Sequence, residues 1–348
     1  MISRVADHCF WLGRYLDRAE STARVLSVTD HLSLDAELTP EQCWLPVIIV
    51  SGEREHFFAK HGEGAARSGE IVQRYMTWED DDNFTCIQRS IAAARENARS
   101  IREVLTLEGW ETTNELYLWM SSPAARTEYE RDRYGFYRHI RRGVQLVLGL
   151  LRSTMLHDTP LDFIWLGVML ERVGQTARVL DVHHHAFTNL AAQQEVVATA
   201  LWLSLLRACS GFEPFMKRNQ GRVSGAAVAS FLIFEPSFPR SIRFCLDAAS
   251  DRFFQAIRPA DQPSLPGGET AARLASLASW LRARAEEPLP PDVHEMLTHV
   301  VDETAAVCNL LSRELFLAVP MGPQAAPNPG PAPSALVASS GQQQTQSF

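Results

Sequence analysis

The sequence predicts an all-α protein: a helical bundle built from two related halves, followed by a disordered C-terminal tail. Three observations predict it. An apolar helical stretch is written twice, helix-start signals precede several of the apolar-periodic segments, and alternating strand patterns are short and few. The repeated stretch is "WLGRYLDRAESTARVLSV" at 11–28 and "WLGVMLERVGQTARVLDV" at 165–182, aligned by an offset of 154 with eleven of eighteen positions identical. Two further blocks follow in the same order. "WLPVIIVSGEREHFFAKHG" (44–62) lies over "WLSLLRACSGFEPFMKRNQG" (202–221) with one inserted residue, and "SGEIVQRYMTWE" (68–79) lies over "SGAAVASFLIFE" (224–235) without a gap. An ordered internal repeat of this kind implies two helical units, here about 1–157 and 158–318 of one helical domain, 1–318. The first helix of each unit is expected to meet its counterpart near the centre, about a pseudo-twofold axis.

The elements follow in order. Leu12, Leu16, Ala19, Ala23 and Leu26 recur at four-and-three spacing and form one apolar stripe on the opening helix. "LTPEQ" places Thr39 as N-cap, Pro40 in the first helical position and Gln42 where a capping box closes. "LPVIIV" (45–50) is too short to cross a membrane. Helical stretches fit 84–106 and 125–156, the first preceded by the acidic run "EDDDN" (79–83), read as a solvated loop and N-cap. "DTPLD" repeats the start device, with Thr159 and Pro160 opening the second copy. Helices then fit 190–210, 270–287 and 291–317, broken at "RPADQPSLPGGE" (258–269) and "EEPLPPD" (286–292). Residues 319–348, rich in Pro, Ala, Gln and Ser, carry no charge and are expected to be disordered.

Composition bounds the function. The chain has 348 residues, 46% of them hydrophobic, enough for a sizeable core. A net charge of −8 argues against a general nucleic-acid binder. Cys9, Cys43, Cys86, Cys209, Cys245 and Cys308 show no framework spacing and read as core thiols of a reducing compartment. The start "MISRVADHCFW" lacks a signal-peptide layout, and no window approaches eighteen apolar residues. These readings predict a cytoplasmic protein that does not engage a membrane.

The repeated helix carries an acid–Arg pair in its middle each time. At 100° per residue, Trp165, Val168, Met169, Thr176 and Val179 surround Arg172, and Trp11, Tyr15, Thr22 and Val25 surround Arg18. Both helices are apolar almost all round, which implies a central position. A buried guanidinium must be paired. The neighbouring acid, Asp17 or Glu171, points about 100° away and cannot pair within its own helix. The spacing therefore predicts reciprocal pairing, Asp17 with Arg172 and Glu171 with Arg18. Glu20 and Arg24 are spaced to pair locally; Arg178 repeats Arg24, whereas Gly174 replaces Glu20. Three readings stay open. The pairs lock helix register; or Arg14, Arg18, Arg24, Arg172 and Arg178 offer sites for an anionic group; or Glu171 or Asp17 is a general acid–base with Arg172 or Arg18 as electrostatic stabiliser.

"RVADHCFWLGRYLDRAESTARVL", "FIWLGVMLERVGQTARVLDV", "AARENARSIREVLTLEGWETTNELY" and "FPRSIRFCL" together resemble the alpha-E family, a bacterial all-helical group named for its helices and an E-R motif. The resemblance runs from Arg4 to Leu246. It places the E-R motif on Glu171–Arg172 and its first-helix counterpart on Asp17–Arg18–Ala19–Glu20, where Asp stands for the usual Glu. It also marks Arg95, Glu96, Asn97 and Arg99, of which Arg95 and Arg99 are expected to join the polar cluster, and Arg240–Ser241–Ile242. What it implies about partners is a circularly permuted ATP-grasp protein and a transglutaminase-like cysteine peptidase, encoded beside or fused to family members, with a role in forming or remodelling amide-linked peptides.

Other constellations are weaker. Glu53 and His56 have the E-x-x-H spacing of bundle di-iron sites, but the second motif would be Asp181–His184, which the repeat does not place equivalently. His183, His184 and His185 read as helix-end or surface histidines, His185 aligning with His31. "HEMLTH" (294–299) lacks zincin spacing. No G-x-S-x-G or P-loop is present, and "PGGE" (266–269) reads as a turn. No metal site or other cofactor is expected. The leading expectation is an accessory or partner subunit of an ATP-grasp-type peptide or amide ligase system. A stand-alone enzyme and a pure scaffold are the alternatives.

Overall fold

A computed structural model of the chain describes residues 3–35, 38–78, 83, 85–191, 195–220 and 223–316. The tail expected at 319–348 and the acidic residues 79–82 lie outside the described residues. The chain is all-helical, with no strand among the described residues. In order the helices are α1 (Ser3–Asp35), α2 (Pro40–Ser51), α3 (Arg54–His61), α4 (Gly69–Thr77), α5 (Ile87–Ser100), α6 (Leu107–Met120), α7 (Pro123–Arg131) and α8 (Arg133–Thr154). Then come α9 (Thr159–Ala191), α10 (Glu195–Ala208), α11 (Phe212–Asn219), α12 (Gly225–Phe234), α13 (Ile242–Asp247), α14 (Gln255–Ile257), α15 (Gly268–Arg284) and α16 (His294–Glu314). A π-helical stretch, Ala248–Phe254, joins α13 to α14.

The two long helices, α1 and α9, have 33 residues each, roughly 50 Å at 1.5 Å per residue. They pack on one another more extensively than any other pair; α5 and α8 cover α1, and α16 covers α9. The sequence explains how closely they approach. A Cβ on Gly13 would sit 2.0 Å from the Ile164 carbonyl oxygen, and one on Gly167 would sit 2.1 Å from that of Phe10. Glycine alone fits at both crossings. Around them, Leu12, Leu16, Ala19, Leu166, Leu170 and Val173 are buried in one core that extends from Val5 to Phe316.

Helix boundaries follow local chemistry. Thr39 and Gln42 close the expected capping box ahead of α2, with hydrogen bonds of 2.8 and 3.3 Å. α9 opens at Thr159, as its Thr-Pro start predicts. Other expectations are corrected. The single helix expected over 84–106 ends at Ser100, and Thr106 caps a separate α6 by accepting the Gly109 amide. The helix expected over 125–156 breaks at Asp132, whose carboxylate accepts the Gly135 amide at 2.8 Å and so starts α8. α9 runs to Ala191 and α10 begins at Glu195. The cap of α5 is Cys86, not the acidic run: Asn83 instead turns inward, donating to the Tyr75 carbonyl and accepting from the Thr85 amide. Among the described residues no helix is long and apolar enough to cross a membrane.

Candidate functional site

Where α1 crosses α9, the acid–Arg pairs meet. Arg172 donates through Nε to Asp17 Oδ1 at 2.8 Å. Arg18 donates through Nε and Nη2 to the two oxygens of Glu171 at 2.7 and 3.1 Å. The pairing is reciprocal, as the helical wheel predicts. Arg14, one turn before Arg18, adds a third bond to Glu171 at 2.8 Å. The carboxylates are the buried half of the cluster: Asp17 is 0%, Glu20 1% and Glu171 1% exposed. The guanidinium side chains reach further out, at 11% exposed for Arg14 and 18% for Arg18.

Glu20 organises the other side. Its carboxylate takes Arg24 from the same helix, Arg240 at 2.6 Å and the Gln145 amide at 3.3 Å. Arg240 stands on the turn between α12 and α13, and the backbone there is fixed by the same helices. Thr176 donates to the Arg240 carbonyl at 3.0 Å and Arg172 to the Pro239 carbonyl at 3.3 Å. Ser21 accepts from Arg240 at 3.3 Å. Three segments distant in sequence are thus tied through one polar layer.

Electrostatics follow from that geometry. Burial alone would raise the Glu171 carboxyl, but Arg18 and Arg14 outweigh it and hold the group well below the usual carboxylate range. Burial likewise works against an ionised Glu20, and Arg240 and Arg24 reverse the direction. Arg178 behaves differently. Burial lowers its pKa, Glu171 partly compensates, and Arg18 and Arg14 push it down further. Its guanidinium has no hydrogen-bond acceptor among the described residues. It lies across Gly174, with Nη1 3.1 Å from where a Cβ would stand.

The structure does not bring every expected residue into this centre. Arg95 and Arg99 sit on α5 and pair with Glu96; Arg95 also donates to Asn114 at 3.1 Å and stacks near Tyr117. They belong to the α5–α6 surface because their helix turns only its Ile87, Ile91, Ala94 and Ala98 face inward. Conversely, Arg240 is a full member of the cluster that helix periodicity cannot reveal, since it lies in a turn; the late Pro-Arg-Ser motif was its only signal. A groove of about 220 Å³ runs between α1 and α5, walled by Asp7, His8, Trp11 and Tyr15 against Glu96 and Asn97. It ends at the outer rings: Trp11 and Tyr15 have Arg14 and Arg18 over them at 4.8 and 5.4 Å, and its walls do not include Asp17, Glu20 or Glu171.

Histidine positions separate rather than converge. Glu53 accepts from Tyr75 at 2.9 Å and Thr85 at 3.1 Å, with His56 at 3.5 Å. Asp181 pairs with His294 at 2.8 Å, and His183 bonds the Val179 carbonyl. The His185 side chain lies outside the described residues. Among the described residues no three His, Cys, Asp or Glu side chains group so as to hold a metal ion.

A family model described as a predicted alpha-helical domain with a conserved ER motif matches residues 1–316. An uncharacterized protein of Mycobacterium bovis and one from each of two strains of Mycobacterium tuberculosis are 24% identical to this chain over 307 residues. Each alignment covers 84% of this chain and 33% of the relative, so the chain spans about a third of the length of the curated relatives it matches. No solved structure matches it.

Proposed function

The chain belongs to the alpha-E family, and from that membership we propose that it is an accessory or partner subunit of an ATP-grasp-type peptide or amide ligase system. In this reading the central Arg–acid cluster fastens the two long helices and holds an anionic group or partner segment; it does not transfer protons. The observation that carries the reading is the state of the three carboxylates. Each is at most 1% exposed and bound by guanidinium groups. A general acid–base must reach the reacting atom and titrate near the working pH. Glu171 meets neither condition, being enclosed and held far toward its ionised form. The span of the relatives also favours a module that works beside others, because two-thirds of each lies outside the alignment.

The same reading treats the chain as a duplicated unit, with halves at about 1–157 and 158–318 related by a pseudo-twofold axis. Several pairs of features support it. Gly13 meets Ile164 as Gly167 meets Phe10, and each glycine at 69 and 225 lies against the tryptophan at 44 or 202. Eight-residue α3 and α11 follow α2 and α10 alike, and Ser68 and Ser224 cap α4 and α12 in the same way.

The test is reconstitution with a circularly permuted ATP-grasp protein from the same organism. We expect a stoichiometric complex by size-exclusion chromatography and a higher rate of ATP-dependent amide formation than the ligase gives alone. A chain that elutes separately and leaves that rate unchanged overturns the proposal.

A further inference from the structure

The repeated helices also differ outside the cluster. α5 packs on α1 as α13 and the π-helical stretch pack on α9. Cys86 and Ser241 cap the two segments, and buried Ile87, Ser90, Ile91 and Ala94 recur with the spacing of Ile242, Cys245, Leu246 and Ala249. A π-helical turn holds one residue more than an α-helical one. Beyond it, Phe253, Phe254 and Ile257 therefore stand where α5 has Asn97, Ala98 and Ile101. The first of these exchanges changes the surface. Phe253 is buried and stacks on Trp165, with ring centroids 6.3 Å apart and planes at 17°. Asn97 turns instead to His8 at 2.8 Å, and the groove of about 220 Å³ lies beside Trp11, the counterpart of Trp165.

The groove is acidic and aromatic, with neither Lys nor Arg among its walls. Of its two carboxylates, Glu96 is bound by Arg95 and Arg99. Asp7 is hydrogen-bonded to the Trp11 side chain and has no Lys or Arg partner among the described residues. Burial raises its carboxyl, against the opposing pull of His8 and Trp11. The guanidiniums beside Trp11 and Tyr15, those of Arg14 and Arg18, are held by Glu171. A half-buried carboxylate without a cation favours a ligand that brings one, and an indole face favours a ring. We propose that the groove binds a primary aromatic amine, with its ring against Trp11, as Phe253 lies against Trp165, and its ammonium on Asp7. The amine is a free one or the terminus of a peptide. This rests on the duplication read above and not on the ligase partnership.

The experiment is a fluorine NMR titration of the fluorotryptophan-labelled chain, with the Trp11 resonance identified by its loss in Trp11→Phe. The probes are phenethylamine, phenylalanylglycinamide and phenylacetate, at neutral pH and constant ionic strength. We expect saturable one-to-one shifts of the Trp11 resonance with at least one amine, and none with phenylacetate over the same range. Binding of phenethylamine alone or of the peptide as well tells which source the groove admits. Asp7→Asn, which keeps an acceptor for Trp11, is expected to weaken binding about tenfold. Asn97→Phe supplies the ring of the second copy and is expected to abolish it. Ser100→Lys places a cation on an exposed wall of the groove and is expected to weaken it several-fold. Absence of saturable binding by the unaltered chain overturns the proposal, as does equal binding of phenylacetate. Unchanged affinity in Asp7→Asn and Ser100→Lys overturns it too, whether or not Asn97→Phe folds by circular dichroism, and so does normal binding by a folded Asn97→Phe chain. A folded Asn97→Phe chain upholds the duplication even where the parent binds no amine, so the two readings can fail separately.

Discussion

The two sides of the central cluster use the same helix and reach different ends. On the first, Glu20 is held by Arg24, Arg240 and Gln145, although Arg24 Nε is itself buried without an acceptor. On the second, Gly174 replaces the acid, and Arg178 folds over the vacant Cβ position with no acceptor among the described residues. The first side closes a turn from another part of the chain onto the long helices; on the second, no hydrogen bond from Arg178 does so among the described residues. The same helix therefore fastens a distant turn through its arginine partner in one copy and not in the other, and one carboxylate makes the difference.

The sharpest way to probe that contrast is to remove the remaining acid on the poorer side. Glu171→Gln leaves Arg14, Arg18 and Arg178 without a carboxylate, and breaking a buried pair in this way costs about 3–5 kcal/mol. Glu20→Gln is expected to cost less, near the lower end of about 3 kcal/mol, since Asp17 lies 3.8 Å from Arg240 and retains part of its attraction. Urea denaturation of both variants checks the order, and a Glu20 variant less stable than the Glu171 variant breaks the comparison. Acid should act through the same groups. Both carboxyls are lowered in the folded state, so their stabilisation is complete above the unfolded value near 4.3 and is lost as pH falls through the lowered folded values. Stability measured against pH is expected to be flat above about pH 5 from this source and to drop in acid, with a shallower drop in Glu171→Gln.

The next contrast is between the two repeated arginines. Arg24→Gln deprives Glu20 of one charged partner and is expected to destabilise by about 1–3 kcal/mol. Arg178→Gln removes a charge that Glu171 attracts but Arg18 and Arg14 repel, and that has no hydrogen-bond acceptor among the described residues, so its stability is expected to stay within about 0.5 kcal/mol of the parent. Equal losses in thermal melts would mean that Arg178 is fastened after all.

Much of this was legible in the sequence. The offset of 154 placed Asp17 opposite Glu171, and a helical wheel was enough to forbid pairing within a helix and require it between helices. The Thr39 cap was readable because its chemistry is local. What escaped has a common physical cause. Arg240 joins the cluster from a turn, where no period reveals which way a side chain points; Gln145 comes from α8 with no charge to mark it. Arg95 and Arg99 were grouped with the centre on motif membership, and only packing shows that α5 turns them outward. Asp132 and Thr106 split two expected helices because a side chain there captures an amide three residues on. That choice competes evenly with continuing the helix until tertiary contacts decide it.

The smallest effect tests the idea most directly. Gly174→Glu rewrites the second copy to match the first. Replacing a mid-helix glycine contributes roughly 0.5–1 kcal/mol by itself, and a Glu four residues before Arg178 adds about 0.2–0.5 kcal/mol. The new Cβ meets only the Arg178 guanidinium, at 3.1 Å, and the end of a flexible side chain can yield by a few tenths of an ångström. The variant is therefore expected to melt above the parent in a buffer of low ionic strength. In added sodium chloride the gap should narrow, because salt screens the Glu–Arg178 pair and leaves helix propensity untouched. A gap that stays constant would place the gain in helix propensity alone, and the two sides would differ in composition without differing in role.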